Sequence, residues 1–138
     1  MGDRGWREVL DVHDRAVVAA VARFDGRLVK TTGDGALATF NSPGRAIAAA
    51  RTIKESTAAL GLEVRGGIHT GECEVRGDDV GGIAVHIAAR IAAIAKGGQL
   101  LVSRTVSDLV VGAALEFIDA GEHELRGVPG SFRLYSVG

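Results

Sequence analysis

The sequence predicts an α+β domain of the ferredoxin-like, split βαβ type, with helices packed on a sheet. Segments with apolar residues at helical spacing alternate with short strand-like runs in the order α-ββ-α-β-α-β-α-βββ. The 138 residues are 46% hydrophobic, enough for one core, so residues 1–138 are expected to form a single domain. Because a helix precedes the first hairpin, the N-terminal strand that normally lies centrally in such a sheet is expected to be missing.

The composition excludes several functional classes. Sixteen basic and 17 acidic residues give a net charge of -1. The chain therefore lacks the excess of positive charge that general binding to nucleic acid or to a membrane surface requires. The only cysteine, Cys73, cannot form an intrachain disulfide. No apolar run approaches the roughly 20 residues of a membrane span, and the first residues lack a signal-peptide core. We therefore expect a cytoplasmic protein without a membrane segment.

Local signals place the elements of the first half. An Asp34-Gly35 pair between two strand-like runs indicates a hairpin. Ser42, directly before Pro43, is expected to cap a helix that ends at Gly61. The predicted elements are a helix at 4–24, strands at 28–32 and 36–40, a helix from Pro43 to Leu60, and a strand at 62–68.

The second half shows the same alternation. Ile83, Ile87, Ile91 and Ile94 recur at helical spacing, with small alanines between them that permit close packing. Ser103 is a plausible N-cap for a short helix. The predicted elements are a helix at 83–94, a buried strand at 100–102, a helix to about residue 110, and strands at 115–118, 122–125 and 132–137.

One group of candidate functional residues surrounds the predicted hairpin at 30–35. The carboxylate of Asp34, flanked by glycines, could present both oxygens to a hard cation such as Mg²⁺. Lys30 on the preceding strand could contact a polar substrate. The alternative is an ordinary turn in which Asp-Gly only provides the required backbone conformation.

A second group lies between residues 77 and 90. His86 and Arg90 are four residues apart and would share one face of the third helix, with Asp79 near the start of that helix. Such a face could meet a nucleotide. The alternative is that Asp78 or Asp79 caps the helix while His86 and Arg90 form a solvated stripe.

The remaining histidines and the cysteine carry no recognisable site. His69 and Cys73 lack the spacing of a zinc motif, and a structural role is expected for both. His13 and His123 stand alone, and no nucleophile triad is recognisable. Gly81-Gly82 does not form a dinucleotide-binding or Walker pattern.

Several strings, in order along nearly the whole chain, resemble the catalytic domain of the class III adenylate and guanylate cyclases, especially small actinobacterial ones. The fold implied is the cyclase-type version of the predicted sheet. The strings are Trp-Arg-Glu-Val-Leu-Asp-Val-His-Asp at 6–14, Val-Lys-Thr-Thr-Gly-Asp-Gly at 29–35, Arg-Gly-Gly-Ile-His-Thr-Gly-Glu at 65–72, Asp-Asp-Val-Gly-Gly-Ile-Ala-Val-His-Ile-Ala-Ala-Arg at 78–90 and Glu-Leu-Arg-Gly-Val at 124–128.

The resemblance implies a role for each matching residue. Asp34 falls at one of the two metal-binding aspartates of the family, which hold two divalent ions, Mg²⁺ or Mn²⁺. Lys30 and Asp79 fall at the positions that read the purine in adenylate cyclases. Arg90 matches the arginine that stabilises the developing phosphorane charge, and Arg126 matches the basic residue that contacts the terminal phosphates.

Two departures from the family pattern concern the same site. His86 stands at the ribose-positioning asparagine; it can still donate a hydrogen bond, but it is bulkier and titratable. The first strand of the family and the other metal aspartate have no counterpart before Met1. These departures leave two functions open.

The first function is an adenylate cyclase that makes cAMP and pyrophosphate from ATP. It would act as a homodimer with shared active sites, because the purine-reading and metal residues of the family come from opposite subunits. The second is a catalytically silent cyclase-homology domain that dimerises or binds nucleotide in regulation. A third possibility, another ferredoxin-like or palm-type domain, rests on fold analogy alone and is disfavoured by the set of Lys30, Asp79 and Arg90.

Overall fold

The structure, a computed structural model, describes residues 3–32, 35–112 and 114–138. The described residues confirm the predicted α+β class, with four helices and eight strands. The chain divides into two compact units, residues 1–64 and 65–138. No described helix has both the length and the apolar character needed to cross a bilayer.

The first unit contains two helices and a β-hairpin. Helix α1 packs against helix α2 and strand β1. The predicted cap is confirmed, since Ser42 Oγ accepts a hydrogen bond from the Arg45 backbone N–H at 3.3 Å. The elements are α1 at Asp3–Arg23, β1 at Arg27–Thr32, β2 at Gly35–Thr39 and α2 at Pro43–Ala58.

The second unit contains the remaining elements. Strands β3, β6, β8 and β7 form a sheet in that order, in which β3 and β6 are parallel and the other pairs antiparallel. Helix α3 packs on β3 and β6, and helix α4 packs on β6 and β8. The elements are β3 at Gly66–Ile68, β4 at Glu74–Arg76, β5 at Asp79–Gly81, α3 at Ile83–Ile94, β6 at Leu100–Ser103, α4 at Arg104–Leu109, β7 at Phe117–Glu124 and β8 at Ser131–Val137.

Helix α3 supplies one wall of the core of this unit. The predicted isoleucine stripe is only partly correct, because Ile83 at its start is 58% exposed. The buried face continues instead through Ala95, which follows the helix. The buried residues of this hydrophobic core are Ile87, Ile91, Ala95, Leu101, Leu125 and Leu134.

Two strand predictions were wrong at their boundaries. The strand expected at 62–68 is limited to β3, because its ladder with β6 begins only at the Gly66–Leu100 pair. The two strands expected at 115–118 and 122–125 are one strand, β7, with a register shift between Asp119 and Glu122. Gly121 in that irregularity has a φ of 90°, a backbone conformation that glycine adopts without strain.

A further hairpin was not predicted at all. Strands β4 and β5 pair antiparallel between β3 and α3, where no strand was predicted. Gly77, between them, has a φ of 60°, which suits a tight turn. The alternation that places Val75 opposite Val80 was the available signal, and it is too short to stand out from a loop.

Candidate functional site

Lys30 lies on an exposed part of strand β1, next to a bulge. Leu28 pairs with Ala38, whereas Lys30 pairs with Leu37, so β1 has one extra residue between them. Because consecutive residues of β2 point to opposite faces, this shift turns Lys30 to the face opposite Leu28. The strand run at 28–32 predicted the element but not this change of face.

The metal assignment falls on a residue that the structure does not describe. Asp34 lies outside the described residues, which resume at Gly35. Within the described ranges, no group of three or more His, Cys, Asp or Glu side chains is placed to hold a metal ion. The assignment of Asp34 as a metal ligand therefore rests on its chemistry alone, because a carboxylate is a hard oxygen ligand of the kind that binds Mg²⁺ and Mn²⁺.

Asp79 corrects an expectation about helix α3. It is the first residue of strand β5 and is exposed, whereas α3 begins only at Ile83. Neither Asp78 nor Asp79 caps the helix; the N-cap is Gly82, with a φ of 107° and no side-chain hydrogen bond. The Oδ1 atom of Asp79 accepts the Val80 backbone N–H at 2.9 Å. The carboxylate is thus oriented by its own strand.

His86 and Arg90 lie on α3 as predicted, one helical turn apart and each half-buried. The structure also joins His86 to a residue 40 positions away, because its Nε2 atom lies 3.0 Å from the backbone carbonyl oxygen of Arg126. A carbonyl only accepts hydrogen bonds, so Nε2 carries the hydrogen and donates it. This contact brings two sequence-predicted site residues together.

Arg126 occupies a tight turn between β7 and β8. The Val128 backbone N–H donates to the Leu125 carbonyl oxygen at 2.9 Å, and Gly127 between them has a φ of 81°. Leu125 is only 3% exposed and belongs to the core, while Arg126 is exposed. An open depression of about 450 Å³ borders this turn, lined by Glu124, Leu125, Arg126, Val128 and Gly130.

Helix α3 approaches strand β3 closely at Gly67. A Cβ atom at Gly67 would lie 2.5 Å from the Ala88 carbonyl oxygen and 2.9 Å from the Ala92 Cα atom, and it would also clash with the Ala92 backbone nitrogen. These are backbone atoms of α3, so no side-chain rotation relieves the contact. The missing side chain of Gly67 therefore sets the distance between the sheet and the helix that carries His86 and Arg90.

A partly buried hydrogen bond between His69 and Ser103 was not predicted from the sequence. His69 Nδ1 lies 2.8 Å from Ser103 Oγ, and Ser103 is 2% exposed. The same Oγ atom accepts the Val106 backbone N–H at 3.4 Å, as the predicted N-cap of α4. The pair joins the C-terminal ends of parallel strands β3 and β6. The structural role expected for His69 is consistent with this contact.

Stability is expected to fall in mild acid because of His69. Burial lowers the pKa of His69 below its ordinary value of 6.5, since desolvation disfavours the imidazolium form. As the pH falls below about 6.5, His69 binds a proton in the unfolded chain but stays neutral in the folded chain. The free energy of unfolding therefore decreases as the pH falls. Urea unfolding between pH 7.5 and 5.5 measures the slope. His69→Asn, whose amide can replace the Nδ1 contact, should flatten it; an equally steep slope in this variant would assign the effect to another group.

Comparison with protein families gives a match over most of the chain. A family model described as the adenylate and guanylate cyclase catalytic domain matches residues 15–137. A candidate adenylate cyclase of Rhizobium meliloti is 31% identical over 132 residues, which are 89% of this chain and 21% of that protein. An uncharacterised protein of Mycobacterium tuberculosis is 32% identical over 121 residues, 84% of this chain and 42% of that protein. The chain thus spans less than half the length of these relatives.

Solved structures share the fold. A crystal structure of an adenylate/guanylate cyclase/hydrolase from Silicibacter pomeroyi superposes with a TM-score of 0.80 at 28% identity, covering 88% of this chain and 77% of that one. An adenylate cyclase from Trypanosoma brucei, solved in its monomeric state, gives a TM-score of 0.85 at 25% identity, covering 95% of this chain and 79% of that one.

Proposed function

The chain belongs to the adenylate and guanylate cyclase catalytic domain family, and from this premise we propose that it is an adenylate cyclase domain that forms cAMP and pyrophosphate from ATP in cyclic-nucleotide signalling. The observation that carries the choice of purine is the pair Lys30 and Asp79, at the family's purine-reading positions and both on exposed strand positions. The Rhizobium relative, which is named for adenylate cyclase activity, supports the same choice.

Purine recognition follows from the hydrogen-bonding chemistry of the two side chains. The Lys30 ammonium has only donors and would donate to adenine N1. The Asp79 carboxylate has only acceptors and would accept from the adenine 6-amino group. Guanine carries a donor at N1 and an acceptor at position 6, so both contacts would be mispaired. The pair therefore favours ATP over GTP.

Two arginine side chains, Arg90 and Arg126, would stabilise the negative charge on the phosphates during the reaction. The ribose 3′-oxygen attacks the α-phosphorus as its proton passes to solvent, and the bond to the pyrophosphate leaving group breaks. Arg90 would stabilise the charge that develops on the phosphoryl oxygens, and Arg126 would hold the terminal phosphates. Asp34 would bind the divalent cations, Mg²⁺ or Mn²⁺, which when bound favour the 3′-alkoxide and neutralise the leaving group. His86 stands at the family's ribose-positioning position.

A homodimer is part of the proposal. In the shared-site arrangement, Asp34 of one subunit would bind the divalent cations at the ATP that Lys30, Asp79 and Arg90 of the other subunit hold. A symmetric pair of chains would then contain two equivalent sites. A single chain would contain no complete one.

Complementation between inactive variants tests the activity and the shared site together. With MnATP, the parent chain should form cAMP, and Asp34→Ala and Arg90→Ala should each lower the rate by roughly a thousandfold, a loss of about 4 kcal/mol in transition-state stabilisation. An equal mixture should recover about a quarter of the parent rate, because half of randomly paired dimers are mixed and each has one intact site. Measurement is by cAMP quantification, with each variant alone as the control.

The outcomes separate the candidate functions. An active parent whose mixed variants stay inactive would refute the shared site while leaving the cyclase activity. A parent without cAMP formation, yet dimeric in sedimentation, would favour the silent cyclase-homology domain.

A further inference from the structure

The ring of His86 lies directly against the peptide that joins Arg126 to Gly127. Its Nε2–H donates to the Arg126 carbonyl oxygen at 3.0 Å, and a Cβ atom at Gly127 would lie 3.2 Å from the same Nε2 atom. A side chain at Gly127 would therefore crowd the ring. The sequence Leu-Arg-Gly-Val leaves the space that this contact uses.

That peptide is the central one of the turn from Leu125 to Val128. A φ of 81° at its third residue, Gly127, is typical of a type II turn, whose central peptide is flipped relative to type I. A donor that binds the central carbonyl stabilises one of these two orientations. Leu125 fixes one end of the turn in the core, and His86 fixes the middle of it to α3.

We propose that His86 is a positioning residue that holds the 125–128 turn against α3, and so presents Arg126 to the polyphosphate of the substrate. This inference rests on the proposed function. The Nε2–H of His86 is already donated to the Arg126 carbonyl oxygen and is not available to the ribose. His86 therefore acts through Arg126 instead of contacting the ribose itself. The hydrogen bond also links the turn of Arg126 to the helix that carries Arg90, the second positive group assigned to the phosphates.

Two amide variants distinguish this role from a direct ribose contact. The amide nitrogen of glutamine reaches about as far as histidine Nε2, whereas the shorter asparagine replaces only the Nδ1 end. If His86 positions the turn, His86→Gln should preserve function and His86→Asn should lose it. If His86 contacts the ribose as the family's asparagine does, the order is reversed.

The first measurement needs no catalysis. Amide hydrogen exchange of Val128, whose N–H closes the turn, is followed in the full chain without nucleotide. His86→Asn should accelerate this exchange roughly threefold to tenfold, the effect of losing one hydrogen bond, and His86→Gln should stay within about twofold of the parent. Unchanged exchange in His86→Asn would overturn the proposal.

The second measurement asks whether the effect passes through Arg126. His86→Asn should weaken MnATP binding in titration calorimetry roughly threefold to tenfold in the parent background and have no further effect in Arg126→Ala. Additive losses in the double variant would overturn action through Arg126. If the parent binds no MnATP, the proposed function fails, and the exchange measurement alone decides whether His86 positions the turn.

Discussion

Replacing Lys30 with glutamate and Asp79 with glycine in one chain is expected to lower ATP turnover by roughly a hundredfold or more and to shift the preference toward GTP. Each mispaired polar contact that the bound purine would bury costs about 1–3 kcal/mol, and the two contacts to adenine are lost together. The glutamate would accept from guanine N1–H, and the glycine would remove the acceptor that opposes guanine O6. The change therefore acts on purine choice as well as on rate.

The measurement is the ratio of cAMP to cGMP formed from an equimolar mixture of ATP and GTP. The matched control makes the same chemical changes outside the assigned purine site, as Lys54→Glu with Asp78→Gly. Lys54 lies on α2 and Asp78 lies in the turn before β5. The control should keep the parent ratio. An unchanged ratio in the Lys30/Asp79 variant would remove these two residues from purine recognition.

Elements with strong local signals were predictable from the sequence. Both serine caps, Ser42 and Ser103, were expected, and each oxygen accepts a backbone N–H three residues ahead. The helices α1 to α3 follow from apolar periodicity because each buries one face. These features depend on residues within a few positions of one another.

Features that depend on distant partners were not predictable. The bulge before Lys30 is defined only by its pairing with β2, and the strand β5 that carries Asp79 is defined only by its pairing with β4. The hydrogen bond from His86 to Arg126 joins residues 40 positions apart. A histidine at an asparagine position predicts a hydrogen-bond donor. It does not predict that this donor binds the Arg126 carbonyl oxygen in the 125–128 turn.

Gly67→Ala is expected to lower the free energy of unfolding by at least about 3 kcal/mol and the Tm by roughly 10 °C. A single methyl group causes this loss because it would meet backbone atoms of Ala88 and Ala92, which cannot rotate away. Either α3 moves off the sheet or β3 shifts in its ladder with β6. The displaced helix carries His86 and Arg90, so cAMP formation should fall further than the unfolded fraction explains.

Two other glycines provide a graded comparison for this substitution. At Gly66 the new Cβ atom would lie 2.7 Å from Leu100 Cδ2, the movable end of a side chain, so Gly66→Ala should cost about 1–2 kcal/mol. At Gly81 no atom outside its chain neighbours lies within 4 Å, so Gly81→Ala should change stability by less than about 1 kcal/mol. Urea unfolding of the three variants measures the series. Equal losses at Gly67 and Gly81 would mean that α3 tolerates displacement and that its contact with β3 does not fix the position of Arg90.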